Sequence, residues 1–296
     1  MAVTSPDLTL NLNQLLPKPL QVQDLQYDYY SKYLAAACHS QTESKIVILV
    51  KEGLSPESCS LSPVSSITTK AGPLFVSWAP PNFGKLLVSV LADNTLVYYH
   101  GQASGSWTTL HENANVIKAI SSLSAGDPHN GDLLVALGSL TGNVAVVSSR
   151  DGYSATTFFA HPGGVRCVAF NTPESESSLL LASGGIDGTV KIWHPVDGKF
   201  ELVQTLALEQ SKAVQQVVSI CWSKDGQLAV STLEGVCIFK KEDEWVHKQH
   251  IKLDTPGHTS FVTFSNDRIV LLQESQTQVY KKDEDGVFHP FTSLSG

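Results

Sequence analysis

One pattern recurs along this 296-residue chain at a nearly constant interval, and the size of that interval excludes most ways of packing it. Short apolar runs end at Leu49, Tyr99, Val147, Trp193, Phe239 and Tyr280, separated by 50, 48, 46, 46 and 41 residues. Each is preceded by a second run across a turn, and most are followed by a polar turn and a fourth segment. Alternation of apolar and polar residues at period two reads as strand, and the Gly, Asn and Asp between runs supply the turns. A unit of four short strands cannot bury both its faces alone, so such units must stack on one another. The interval therefore predicts an all-β chain of six repeated blades, where length alone would equally allow two ordinary domains.

The fourth copy carries the most information. It runs from His161 through Val165-Arg166-Cys167-Val168-Ala169-Phe170, a near-continuous run at Leu179 to Ser183, and Thr189-Val190-Lys191-Ile192-Trp193. A His before the first strand, a Ser in the second, an Asp in the turn and a Trp ending the third can form one hydrogen-bonded chain. This copy resembles a blade of a WD-repeat β-propeller, with Ile192-Trp193 where that family often has Trp-Asp. The resemblance implies that His161, Ser183, Asp187 and Trp193 are a structural staple, although a His-Asp-Ser set also invites a hydrolase reading. On the structural reading, Ser183→Ala costs about 1 kcal/mol through a broken buried network.

The other copies are less complete. In the second, Ser89, Asp93 and Tyr99 fall on Ser183, Asp187 and Trp193; the third has Thr141 for the Asp and Val147 for the Trp, and the sixth keeps Gly257-His258. First strands end in an aromatic at Trp78, Phe170, Trp222 and Phe264, and fourth segments open on Trp107, Phe200, Trp245 and Phe288. Blades are expected at about 21–70, 71–111, 112–160, 161–210, 211–256 and 257–296, with 1–20 as a loose tail or, through Leu8, Leu10 and Leu12, an extra edge strand. Connections are expected at Lys51 to Ser66, Ser122 to Gly131, Asn171 to Ser178 and Leu208 to Val214. The charged runs Lys240 to Glu244 and Lys281 to Asp285 read as solvated hairpin turns.

Composition narrows function chiefly by exclusion. Net charge is −8, and no basic run exceeds Lys-Lys, which disfavours binding to a nucleic-acid backbone. Five cysteines without a CxxC pair, no Asn-x-Ser/Thr acceptor, no leader-like N-terminus and no long apolar stretch point to a reducing cytoplasmic or nuclear compartment. Phosphate-cradling, zinc-protease and nucleophile-elbow motifs are all missing. His247 and His250 would face opposite sides of a strand, so they do not suggest a metal site. The expectation is a protein without catalytic residues, cofactor, metal or small-molecule substrate.

Two further segments narrow the family. Gln23-Asp24-Leu25-Gln26-Tyr27-Asp28-Tyr29-Tyr30-Ser31-Lys32-Tyr33-Leu34-Ala35 opens blade one, and Phe75-Val76-Ser77-Trp78-Ala79-Pro80-Pro81-Asn82-Phe83-Gly84-Lys85-Leu86-Leu87 joins two strands of blade two. Both resemble the Sec-thirteen family, small propellers shared by the outer COPII vesicle coat and the Y-complex of the nuclear pore. The likeness continues through Ala160-His161, Ala182-Ser183-Gly184-Gly185 with Asp187, and Val279-Tyr280-Lys281-Lys282 to Asp285-Gly286-Val287-Phe288. The sibling nucleoporin, the Seh-one propeller, and a peptide-binding WD-repeat adaptor stay open as alternatives. The resemblance implies a propeller left open between its first and last blade, consistent with six blades of four that use every strand. It also implies a non-enzymatic scaffold in ER-to-Golgi transport, peripheral on ER-derived vesicles or at the nuclear pore and touching membrane only through the coat. The implied partner is a helical-solenoid protein of the Sec-thirty-one type, or a nucleoporin, that donates a seventh blade in trans. The residues expected to line that contact are Tyr27, Tyr29 and Leu34 with Phe261, Phe264 and Val279.

Overall fold

The computed structural model describes residues 20–53, 60–128, 131–171, 179–208, 216–253, 261–273 and 276–295. Their fold is an all-β propeller of six blades, each a four-stranded antiparallel sheet made of consecutive strands. Innermost to outermost, blade one runs Gln21–Tyr27, Tyr33–His39, Ser44–Glu52 and Ser60–Thr68, and blade six runs Phe261–Ser265, Arg268–Leu272, Gln276–Lys282 and Phe288–Ser295.

The recurring residue of the sequence marks one register position. Leu49, Tyr99, Val147, Trp193, Phe239 and Tyr280 pair with Leu34, Leu87, Val135, Leu181, Leu228 and Ile269 on the second strand of their blades. In five blades the pairing of third and outermost strands shifts at that point, between Ile48/Leu49, Tyr98/Tyr99, Ile192/Trp193, Ile238/Phe239 and Val279/Tyr280. A bulge there bends the outer strand. Blade three, with Val147 at the position, pairs without a shift.

The chain divides into two compact units, Met1–Val116 and Ile117–Gly296. In the first, alternate residues of blade one face blade two. Ala35, Ala37, Ile46, Ile48 and Ile67 pack with Val76, Leu87, Leu91, Val97 and Tyr99. At ~1.5–3 kcal/mol for each large apolar side chain buried, this face supplies most of the attraction between the two sheets. Polar groups set its register: Asp24 accepts from the Val76 N–H at 2.9 Å, Gln26 accepts from the Trp78 N–H at 2.6 Å, and the Trp78 indole donates to the Gln26 carbonyl at 3.0 Å.

In the second unit, blades three to six stack through three such cores, typified by Val144 with Leu181, Ile192 with Val230, and Ala229 with Ile269. The two aromatic series of the sequence are a single set of pairs. Phe170–Phe200, Trp222–Trp245 and Phe264–Phe288 have ring centroids 6.4, 5.2 and 6.1 Å apart, and Trp78–Trp107 in the first unit repeats the contact at 5.9 Å. Each pair joins the end of a blade's innermost strand to the start of its outermost one.

Two expected connections are in fact strands. Ser60–Thr68 is the outermost strand of blade one, with Pro63 at its bulge, where a missing N–H is tolerated. Ile120–Gly126 is the innermost strand of blade three. Its serines read as loop, but Ser121 donates to the Val165 carbonyl at 2.6 Å and Ser124 accepts from the Phe170 N–H at 3.0 Å. The 171–178 and 208–214 connections lie largely, and Leu8 to Leu12 and Gly257-His258 wholly, outside the described residues.

Candidate functional site

In blade four the polar tetrad is one continuous chain. His161 Nδ1 lies 3.2 Å from both Asp187 carboxylate oxygens, its Nε2 lies 2.8 Å from Ser183 Oγ, and the Trp193 indole donates to that hydroxyl at 2.9 Å. The carboxylate fixes the tautomer: Nδ1–H donates to Asp187, and Ser183 donates its proton to Nε2. Asp187 also accepts from the Thr189 N–H at 3.0 Å and hydroxyl at 2.9 Å, closing the turn. His161 and Ser183 are fully buried. Burial pushes the imidazole below its ordinary range, against the opposing pull of Asp187. The order Asp-His-Ser matches a hydrolase triad, but the hydroxyl is sealed beneath the sheet and held by an indole, so no acyl group reaches it. Among the described residues no group of three or more His, Cys, Asp or Glu is arranged to hold a metal ion.

Other blades keep fragments of this network. Asp93 accepts from the Thr95 N–H at 3.0 Å, while Ser89 donates to the Phe75 carbonyl at 2.8 Å. In blade three Ser139 and Thr141 share a 2.8 Å hydroxyl contact. A second clasp recurs on the outermost strands. The Gln204 amide brackets the backbone of Trp245 at 2.8 and 3.1 Å, and Gln249 brackets Phe288 at 2.8 and 2.7 Å. Sequence reasoning missed it; the signal was a Gln placed 41 or 39 residues before an aromatic that opens an outermost strand.

Two sheet faces carry exposed apolar side chains. On blade six, Phe261 pairs with Leu272, Thr263 with Val270 and Val270 with Val279, which puts them on one face, opposite the Val262, Ile269 and Leu271 core shared with blade five. Phe261 is 55% and Leu272 45% exposed, although Val279 is only 9% exposed. Beside them Arg268 stacks its guanidinium 4.8 Å above the Phe291 ring. Phe264 does not belong to this face. Three residues from Phe261 on a strand, it points the opposite way, packing on Phe288 and donating its N–H to Cys221 Sγ at 3.4 Å.

On blade one, Tyr27 pairs with Leu34 and Leu34 with Leu49, so all three share the face opposite the blade-two core. Leu34, Ala36, Cys38, Val47, Leu49 and Leu61 form an apolar cluster there with Leu20. Leu25 and Tyr27, at the innermost strand, are 40% and 43% exposed. Tyr29 lies beyond that strand, in the turn before Tyr33, edge-on to Tyr30 at 5.3 Å.

Comparison with known proteins fits this geometry. The family profile described as WD domain, G-beta repeat matches residues 152–194, which hold the whole tetrad. The protein transport protein SEC13 of Yarrowia lipolytica is 29% identical over 86% of this chain and 93% of its own length. Sec13 of Emericella nidulans is 27% identical over 62% of this chain, and the match spans 64% of that protein. The SEC13 homolog of Drosophila melanogaster is 26% identical over 69% of this chain and 66% of its own. This chain is a divergent Sec13-like WD-repeat propeller. The Sec13-like assignment rests on sequence spread over most of the chain, whereas the fold itself is shared more widely. Chaetomium thermophilum Sqt1, solved bound to the N-terminus of ribosomal protein L10, superposes with a TM-score of 0.67 over 93% of this chain and 75% of that one, at 13% identity.

Proposed function

We propose that this Sec13-like chain is a non-enzymatic scaffold subunit of a vesicle coat of the COPII outer type. Its partner is a helical-solenoid protein of the Sec31 kind, which lays a few strands of its own, a seventh blade, against the propeller. One observation carries the reading: among the described residues every sheet is built from four consecutive strands, so no strand from one end of the chain completes the sheet at the other. A propeller without such an exchange leaves its terminal blades to be covered in another way. Support comes from the half-exposed Phe261 and Leu272 on blade six and from Tyr27 with Leu34 on blade one. Phe264 is excluded from the contact and Tyr29 lies at its margin. Apolar faces of this kind suit β-strands whose alternate side chains interdigitate with them, and a permanent contact would bury roughly 2,000 Å² or more. The protein transport named for the relatives in fungi supports a setting on ER-derived vesicles, in which the assembly is cytoplasmic and joined to membrane only through the coat. The nuclear-pore Y-complex is the second assembly that the same faces would serve.

Co-expression of the chain with a solenoid partner tests this. Phe261→Asp combined with Leu272→Asp is expected to release the partner while leaving the unfolding midpoint of the free chain unchanged. Binding that survives both this pair and deletion of every short β-rich insert in the partner overturns the reading.

A further inference from the structure

We infer that a groove between blades one and two is a docking site for an acidic, proline-bearing linear segment of another protein. The groove has a volume of about 170 Å³, enough for one or two side chains, and its walls are Tyr33, Val64, Trp78 and Trp107 with Lys85 at the rim. Tyr33 and Trp78 have ring centroids 6.4 Å apart, and Trp78 and Trp107 5.9 Å apart. Both indole N–H groups are already committed, Trp78 to the Gln26 carbonyl at 3.0 Å and Trp107 to the Ser65 hydroxyl at 3.0 Å. The rings therefore offer carbon surface and no donor. A proline ring matches such a surface, since it brings an apolar face and no N–H of its own to satisfy.

Comparison with the equivalent aromatic pairs shows that this one is left open. Trp222 and Trp245 in blade five are both buried, as is one ring of each pair in blades four and six. Trp78 and Trp107 both keep solvent exposure, and Val64 beside them is 52% exposed. Gly101 makes room for the arrangement: a Cβ there would lie 3.0 Å from the Trp107 ring and 3.2 Å from Lys85 Cβ.

Charge chooses the flanking residues. The Lys85 and Lys32 ammonium groups stand 5.0 and 5.5 Å from the Tyr33 ring centroid, and both side chains are exposed. Neither forms an ion pair with a described carboxylate, in a chain whose net charge is −8. Two unpaired cations over an aromatic wall repel a basic ligand and attract carboxylates placed beside the proline. The groove lies on the face of blade one opposite the Leu34 cluster, so this site does not depend on the strand-donation reading.

The test uses the full chain and three fluorescent synthetic peptides: Pro-Pro flanked by Glu and Asp, the same with Lys flanks, and the acidic one with Ala for Pro. The acidic proline peptide should bind saturably and weaken as salt rises, with both other peptides at least about tenfold weaker. Val64→Glu and Lys85→Glu lie at exposed positions and should each lower its affinity about tenfold with the unfolding midpoint unchanged; Lys85→Glu should also strengthen the Lys-flanked peptide. The inference is overturned if the acidic peptide fails to saturate by about 1 mM, if the Ala or Lys peptide binds as well, or if neither variant changes its affinity.

Discussion

Ser183→Ala removes one oxygen from the blade-four network, and the structure sets the cost. That oxygen accepts the Trp193 indole proton at 2.9 Å and donates to His161 Nε2 at 2.8 Å, with both partners buried. Its loss orphans two groups, and at ~1–3 kcal/mol for each unsatisfied buried polar group the penalty is about 2–6 kcal/mol, above the ~1 kcal/mol expected from sequence alone. The lower end is favoured because Nε2 also lies 3.1 Å from the Ser183 carbonyl, which can accept once the ring is protonated, with Nδ1–H still donating to Asp187. Trp193→Phe removes the donor and also part of the buried ring packed 4.7 Å from Phe158, while leaving Ser183 bonded to His161, so it should cost about 1–3 kcal/mol. In the double variant no indole is left to orphan, so its cost should fall about 1 kcal/mol or more short of the sum. Urea unfolding followed by far-ultraviolet circular dichroism measures all three. A Ser183→Ala cost below ~0.5 kcal/mol, or strict additivity, would refute the proposed proton order through the network.

The network also predicts a pH dependence. Burial holds the folded-state pKa of His161 below its ordinary value, so the unfolded chain binds the extra proton first; stability should be full above about pH 6.5 and fall as the pH drops below it. His250, also lowered by burial and by His247, adds to the loss, and thermal unfolding at pH 7.5 and 5.5 checks the direction. Gly184→Ala should destabilise by about 1–3 kcal/mol, because its Cβ would sit 2.4 Å from Val217 Cγ1 and 2.8 Å from Cys167 Sγ between blades four and five. Denaturant midpoints read that cost. Gln249→Leu should speed hydrogen exchange at the Phe288 amide, which loses its acceptor at 2.8 Å, while exchange at Trp245 stays unchanged.

How much of this was legible in the chain differs by element. Blade four could be read almost atom by atom, because its network demands four particular side chains at fixed register. The third strands were legible everywhere, since each carries a short buried stretch of Val, Ile, Leu or aromatic residues at its centre. The outermost strand of blade one and the innermost of blade three escaped: their serines, with Pro63, have loop chemistry in isolation and strand chemistry only when a neighbouring sheet supplies partners. The grouping of residues on the two apolar faces was half legible. Alternation within the strand is enough to send Phe264 to the face opposite Phe261, whereas Phe261 is grouped with Val279 only once the pairing through Val270 is known.

The central claim concerns what covers the free face of blade six. A photo-crosslinking amino acid placed at 261, and separately at 272, in chain co-expressed with a solenoid protein of the proposed kind reads this directly by mass spectrometry. The account predicts crosslinks from both positions to one short β-rich insert of the partner, and none from a probe at Thr108 on the outermost strand of blade two. Crosslinks from 261 and 272 to the chain's own residues, with the partner fully bound, would contradict it.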